Sequence, residues 1–351
     1  MTSPVVSAVV RRAMKHTEIL TGIPGYPVGV HAMIRWEGLV TAVFEEQARL
    51  LTRLVGSTTT AERRRRRERD ARLTRRAGGS GPADLVSGRD PAVFWHDGGE
   101  GPPVLLLNGW TASGLLWPGD WLHRLEARHR VLRVDNRGTG WSRTAPAPFT
   151  VGDMADDAAA VLRATGTGPA TVVGLSMGGM IAQELAIRHP PLVGRLGLVS
   201  TRPPAPAHIT AAPDVVDREL GQLLDTPPRD ELAAYFRSVW EPQSAPGFAD
   251  RNPALFEELA GQILERVTPR AAVINQLRAI AAWSGAGRLA RIAAETTVVH
   301  GVSDELVPVG NGMRLARLIS GARYVELPGV GHLIPLEAPD AHIEAIDSCG
   351  V

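Results

Sequence analysis

Ser176 stands between Gly174 and Gly178 where an apolar run meets a helix-like one, in Val172–Met180, VVGLSMGGM. The pattern predicts a strand over Ala170–Leu175 and a helix opening at Met177, with Ser176 at the tip of the turn between them. Such a tip strains the backbone of its central residue and crowds its neighbours, and glycine at 174 and 178 removes the collisions. The hydroxyl then projects beside a helix N-terminus, where the Met177 amide and the helix dipole can stabilise an oxyanion.

A serine hydroxyl is a weak nucleophile at neutral pH unless a base takes its proton. Of ten histidines, His332 is placed best, in YVELPGVGHLIPLEAP, after a strand-like run and behind two glycines. His31, His123, His129, His189, His208 and His342 fall in helix-like or polar stretches that suit surface positions. His300 ends a strand and turns into the next loop, and His96 lies in the first strand, far from where a base is needed. A base needs an orienting acid. Asp304, at the turn of TTVVHGVSDELVP, precedes His332 by enough chain for one helix and one strand, which sets the two loops side by side. Glu305 is its nearest substitute and Glu337 a weaker one. A second oxyanion donor is expected after an early strand. In VLLLNGWTASGLLW, Gly109 allows close approach and the Trp110 amide is the candidate, while the Trp110 ring serves either as a pocket wall or as packing.

The elements that must position these groups are legible from Ala83 onward. Short apolar runs (AVFWHD, PVLLLNG, HRVLRVDN, ATVVGLS, RLGLVST, TTVVHG, ARYVELPG) alternate with helical patterns. Unbroken apolar strands alternating with helices predict a mainly parallel, twisted sheet covered on both faces, an α/β class. The alternation stops at Thr201. Residues 201–291 read as helices alone, a lid inserted between two strands of the core formed by 83–200 and 292–351. Trp240 and Trp283 in that segment are offered as pocket residues, together with Gly109.

Four segments in order, LLNGW, VDNRGTGWS, GLSMGG and HGVSDELVP…GVGH, carry a resemblance to the α/β-hydrolase superfamily over about three quarters of the chain. Within it the chain is similar to the esterase, enol-lactonase and cofactor-free haloperoxidase-like group with a helical lid. The resemblance implies the hydrolase fold, the chain order Ser176, Asp304, His332, and a structural role for the Asp135–Ser142 turn. Asn108 departs from the histidine that many relatives carry beside the oxyanion glycine, and residues 1–82 have no counterpart in that group.

These readings give a serine hydrolase cleaving an ester, lactone or thioester, with an apolar small molecule as substrate and with no cofactor and no metal. The alternatives are a non-hydrolytic lyase, cyclase or acyl transferase on the same scaffold, and a non-catalytic binding protein. Composition limits the rest. Of 351 residues 44% are hydrophobic, the net charge is +1, and no run is long enough to span a membrane. The lone Cys349 forms no internal disulfide and suits a reducing cytoplasm. Nine arginines in Ala61–Arg76 read as a solvated helix face or linker. No aromatic residue is interleaved for base stacking, so no nucleic-acid partner is expected. The 1–82 extension is expected to be helical, with an apolar stripe over Arg35–Val55 that packs on the main domain or joins two copies as a homodimer. Deleting residues 1–80 is therefore expected to lower solubility or change the mass in solution, read by light scattering behind size exclusion. An unchanged mass, stability and activity would make the stripe an appendage.

Overall fold

The computed structural model describes residues 93–142, 148–224, 231–265 and 267–347. The 1–82 extension, its arginine run and linker, and Cys349 lie outside the described residues. The seven predicted strand segments all form strands: β1 Trp95–Gly98, β2 Pro103–Leu107, β3 Arg130–Val134, β4 Ala170–Leu175, β5 Val193–Val199, β6 Glu295–Gly301 and β7 Arg323–Leu327. They make one sheet in the order β1-β3-β2-β4-β5-β6-β7. β1 runs antiparallel to β3, and every other pairing is parallel.

Eleven α-helices occur among the described residues. The core carries α1 Gly119–Glu126, α2 Val151–Thr165 and α3 Met177–Arg188. Between β5 and β6 come α4 Pro213–Leu224, α5 Leu232–Trp240, α6 Phe248–Arg251, α7 Pro253–Glu265 and α8 Arg270–Ala282. The chain closes with α9 Gly310–Leu318, α10 Ile334–Glu337 and α11 Pro339–Asp347. The described β5–β6 connection is helical apart from loops and one isolated bridge between Ala205 and Ser284.

Strand side chains alternate between two buried layers, as a pleated sheet covered on both faces requires. Leu105, Leu107, Leu132, Val172, Leu196 and Val298 pack beneath α2, α3 and α9. Val104, Leu106, Val131, Val173 and Val299 pack on the opposite face, with Trp121 and Leu125 of α1 and Ile343 and Ile346 of α11. His342, expected at the surface, is instead fully buried in this second layer and stacks on Trp121 at 5.0 Å. Its ring nitrogens have no hydrogen-bond partner among the described residues, and burial pushes its pKa down to about 3, so it packs as a neutral aromatic ring.

The parallel register brings the carboxyl ends of β2, β4, β5, β6 and β7 to one edge. Leu107 faces Gly174, Gly174 faces Leu198, Val199 faces Val299 and Gly301 faces Leu327. The hydrogen bonding runs on past the strands into the turns. Ser176 N donates to Val199 O at 2.9 Å, Ser200 N to Val299 O at 3.0 Å, Val302 N to Leu327 O at 3.1 Å, and Ser303 N to Val330 O at 2.9 Å. The loops that carry the candidate residues are thus fixed by extension of the sheet itself, at the edge where α/β folds bind ligands.

The two glycines of the serine turn are required by close approach. A Cβ on Gly174 would overlap the backbone of Gly178 and Gly179, and one on Gly178 would overlap the Leu107 carbonyl at the end of β2. Gly178→Ala is expected to force β2 and α3 apart at a cost of about 1–3 kcal/mol. The melting temperature should fall by roughly 2–10 °C in a calorimetric scan. An unchanged melting point would mean the elbow is not close-packed.

Candidate active site

Ser176 is the residue before the first turn of α3, with φ 56° and ψ −117°, a backbone conformation that L-residues rarely adopt. It is held there from several sides. Its amide donates to β5, and its carbonyl accepts from Gly179 N at 2.9 Å and from Thr201 Oγ1 at 2.7 Å. Its side chain is next to the β2 loop: a Cβ on Gly109 would stand 3.4 Å from Ser176 Cβ and 3.9 Å from Oγ. Met177 opens the helix, so its N–H is among those without an intrahelical acceptor.

The β2 loop is stitched together by Asn108. Its Oδ1 accepts from Gly109 N at 2.8 Å, its Nδ2 donates to Ser113 O at 3.1 Å, and its carbonyl accepts from Asn136 Nδ2 at 2.9 Å. Asparagine thus bonds the loop to itself. Gln276 of α8, which the sequence reading missed, then fixes the loop from above. Its Oε1 accepts from Thr111 N at 2.9 Å and its Nε2 donates to Arg137 O at 3.0 Å. Thr268 Oγ1 donates to Thr111 O at 2.7 Å, and the Trp110 ring donates to Val273 O at 3.0 Å. The flanking amides of Gly109, Thr111 and Ala112 are consumed by Asn108 Oδ1, Gln276 Oε1 and Gly109 O, and none of these bonds uses the Trp110 amide.

Asp304 and His332 meet as a buried pair. His332 Nδ1 lies 2.8 Å from Asp304 Oδ2, and both residues are 4% exposed. Val307 N donates to the other oxygen, Oδ1, at 2.8 Å. His300, at the end of β6, brings Nε2 to 3.3 Å from Oδ2 while bonding Val307 O at 2.8 Å. Sequence reasoning missed this second histidine on the same carboxylate. Burial by itself would push the Asp304 carboxyl up, but His332 and His300 together hold it below its ordinary range. Burial would likewise push the His332 imidazole down. Asp304 outweighs it, with Glu219 and Glu337 assisting, and raises the imidazole above its ordinary value.

The two substitutes considered for Asp304 do other work. Glu305 is exposed and lies 3.8 Å from Arg218. Glu337 anchors backbone: Oε2 accepts from Ala245 N at 2.7 Å and Gly331 N at 3.0 Å, and Oε1 from Leu333 N at 3.1 Å. The His332 amide donates to Gln243 O at 2.7 Å. The histidine loop is therefore bonded to the helical insert on both sides of the imidazole.

Of the pocket residues offered from sequence, Gly109 lies beside Ser176. Trp240 is half-buried and stacks on Phe236 at 5.7 Å. Trp283 is 5% exposed and packs within the hydrophobic core, and its ring donates to Glu184 Oε1 at 2.9 Å. A buried indole N–H must find an acceptor, and this one finds it in Glu184 of α3.

The family model for the α/β-hydrolase fold matches residues 102–339, and the chain belongs to this family. A sequence of Azorhizobium caulinodans that bears the provisional name carbamate hydrolase RutD is 30% identical over 259 residues, 74% of this chain and 95% of that one. The rhodomycin D methylesterase DauP of Streptomyces sp. strain C5 is 28% identical, over 76% of this chain and 97% of its own. Among solved structures, a hydrolase from Pseudomonas aeruginosa superposes with TM-score 0.65 at 29% identity, covering 78% of this chain and all of that one. Among the described residues no helix is long and apolar enough to cross a membrane.

Glu337→Ala leaves three backbone N–H groups of the histidine loop and insert without their carboxylate. The expected loss is about 2–4 kcal/mol of stability together with a fall in turnover. Glu337→Gln, which keeps an acceptor oxygen, should lose less. Calorimetry and steady-state rates on the two variants test this, and equal stability of wild type and Glu337→Ala would remove Glu337 as the anchor.

Proposed function

We propose that the protein is a serine hydrolase that cleaves an ester, lactone or thioester through Ser176, His332 and Asp304. The observation that carries this reading is the buried His332–Asp304 pair on the same sheet edge as a serine held at positive φ. The names of the relatives agree with acyl-group cleavage, one as a methylesterase and one as a carbamate hydrolase.

In this reading His332 Nε2 takes the Ser176 proton as Oγ attacks the carbonyl carbon. Asp304 Oδ2, bonded to Nδ1, selects the tautomer that leaves Nε2 free and stabilises the imidazolium once it forms. The Met177 and Trp110 amides receive the developing oxyanion, each worth roughly 3 kcal/mol of transition-state binding. The protonated His332 then delivers its proton to the leaving oxygen or sulfur, the bond to carbon breaks, and the acyl group remains on Ser176. A water molecule, deprotonated by His332, attacks the acyl carbon; the bond to Ser176 Oγ breaks as His332 returns the proton to that oxygen, and the acid leaves. The helical insert acts as a lid whose aromatic residues, Trp240 and Phe236 among them, favour an apolar acyl or alcohol part.

Incubation with a fluorophosphonate probe should label Ser176 in the wild type and leave Ser176→Ala unlabelled, read by intact mass. Folded wild-type protein that resists labelling would overturn the hydrolase reading.

The base must be neutral to accept a proton. Because His332 is raised above 6.5, kcat/KM should climb with pH along an acid limb centred above that value. Asp304→Asn removes the group that raises it. The limb should move to lower pH while the rate falls by roughly 10³–10⁴-fold. A limb that stays in place would show that Asp304 is not the partner of the base.

A further inference from the structure

The chain that leaves β5 is tied to the end of α8 and the start of α9, and three basic side chains gather along it. Ala205 N donates to Trp283 O at 3.2 Å, just past α8, and Ile209 N donates to Asn311 Oδ1 of α9 at 2.7 Å. Arg202 opens this segment. Its guanidinium donates to Pro203 O at 3.3 Å and to Ile280 O at 3.2 Å. Its Cζ lies over the Trp283 ring, 5.9 Å from the centroid, a contact that positions the charge without cancelling it. Arg314 of α9 donates to Ala207 O at 2.8 Å. His208 is the next residue, and both guanidinia act on its ring: burial, then Arg202 and Arg314, push the imidazole down to about 4. Burial draws Arg202 itself down to about 10, so it stays charged at neutral pH.

The cluster lacks an acid. Among the described residues no carboxylate pairs with Arg202, His208 or Arg314. Arg137 and Arg288, also partly buried, each hold one, Asp157 and Glu184. Two of the five N–H groups of Arg202 reach carbonyls, which leaves three for a ligand. A guanidinium drawn part-way out of water, with a second cation near it, is costly without a counter-charge, and its planar fork matches an oxyanion. None of the three side chains is sealed in. Arg314 is exposed and Arg202 and His208 are partly so, and an ion reaches them from solvent. We propose that Arg202, His208 and Arg314 form a binding site for a small oxyanion, phosphate or carboxylate. The ion arrives free or as a substituent of the substrate, and the recognition chemistry is the same. Arg202 follows Thr201, whose hydroxyl bonds the Ser176 carbonyl, and Gln183 Nε2 of α3 donates to the Arg202 carbonyl at 3.1 Å. The anion is thus placed where β5, α8 and α9 meet, one residue along the chain from a support of the serine turn.

The test titrates the full chain, labelled in its histidine rings, with inorganic phosphate and separately with acetate at constant ionic strength. The His208 ring signal, assigned by its loss in His208→Gln, is followed by NMR. Wild type is expected to give a saturable shift with phosphate and a His208 pKa that rises as the anion binds. Arg202→Gln should weaken phosphate binding by about tenfold or more, and Arg314→Gln by about threefold or more. Arg195→Gln, at the opposite end of β5, should leave it unchanged. Arg314 is exposed, so its variant decides the matter where Arg202→Gln does not fold. A His208 signal that ignores both anions overturns the proposal, and so does phosphate bound as tightly by the cluster variants as by wild type. Rates on a 4-nitrophenyl ester whose acyl chain ends in a carboxylate, set against its methyl ester, separate the two sources. Competitive inhibition of the carboxylate ester by phosphate puts the site on the substrate's path. Phosphate that binds without inhibiting makes it a site for a free ion, and either result upholds the anion site. The binding measurement needs no turnover, so it stands whether or not Ser176 is a nucleophile.

Discussion

The site depends on keeping one carboxylate charged in a buried position. Asp304 is almost wholly buried at the end of β6, and an isolated ion there would be expelled or neutralised. Val307 N on one oxygen and the two histidines on the other make its ionisation tolerable. The turn that follows β6 is shaped around this requirement. His300 bonds the Val307 carbonyl and Asp304 the Val307 amide, so one residue of the turn is gripped from both sides. With the acid fixed, His332 has one orientation in which Nδ1 is satisfied. The orientation of the His332 ring is then a consequence of the electrostatics of Asp304.

Fixing the imidazole also requires fixing the loop that carries it, and that support comes from the insert. Gln243 O, Ala245 N through Glu337, and Gln276 of α8 bond to the His332 and Trp110 loops. The same helical segment therefore holds both the His332 loop and the Trp110 loop. Loops at a sheet edge are otherwise the least constrained part of such a fold. Here their backbone groups are paired with a second layer of structure, which holds the site in register without enlarging the sheet. The arrangement couples the insert to the candidate site, since a displacement of α8 or of the Gln243 turn moves the Trp110 or the His332 loop.

The sheet was legible because short apolar runs alternate with helical patterns, several of them unbroken as strands covered on both faces require, and all seven runs became strands. The serine turn was legible because close approach leaves glycine as the tolerated residue at 174 and 178. Asp304 and His332 were legible because each follows a strand at the carboxyl edge. The supporting groups were not. Gln276, Gln243, Glu337 and Glu219 lie on helices and turns, where a polar residue looks like any solvated one until tertiary structure shows its partner. Trp283 illustrates the same limit. Its indole N–H bonds Glu184, 99 residues away, and nothing local distinguishes that from a pocket wall. His342 was misplaced for the opposite reason, since a buried histidine with no partner leaves no polar signature at all.

The two members of the buried pair bind protons in opposite senses, and this sets stability against activity. Asp304 is held below its ordinary 3.8, so its contribution to stability is full above that value and fades as the pH falls through its folded pKa. His332 is raised above its ordinary 6.5, so its contribution is full below 6.5 and is lost as the pH climbs through its folded pKa. Both contributions are therefore complete between about 4 and 6.5, where the imidazole is charged. A general base must be neutral, so catalysis of the proposed kind belongs to higher pH, where the charged pair has dissolved into a neutral ring beside a carboxylate. The geometry must then be kept by bonds that do not titrate in that range: the Gln243 carbonyl on the His332 amide, the Val307 amide on Asp304, and the ladder that runs on from β5 and β6. Those backbone bonds allow the site to stay assembled at the pH where its charges no longer hold it.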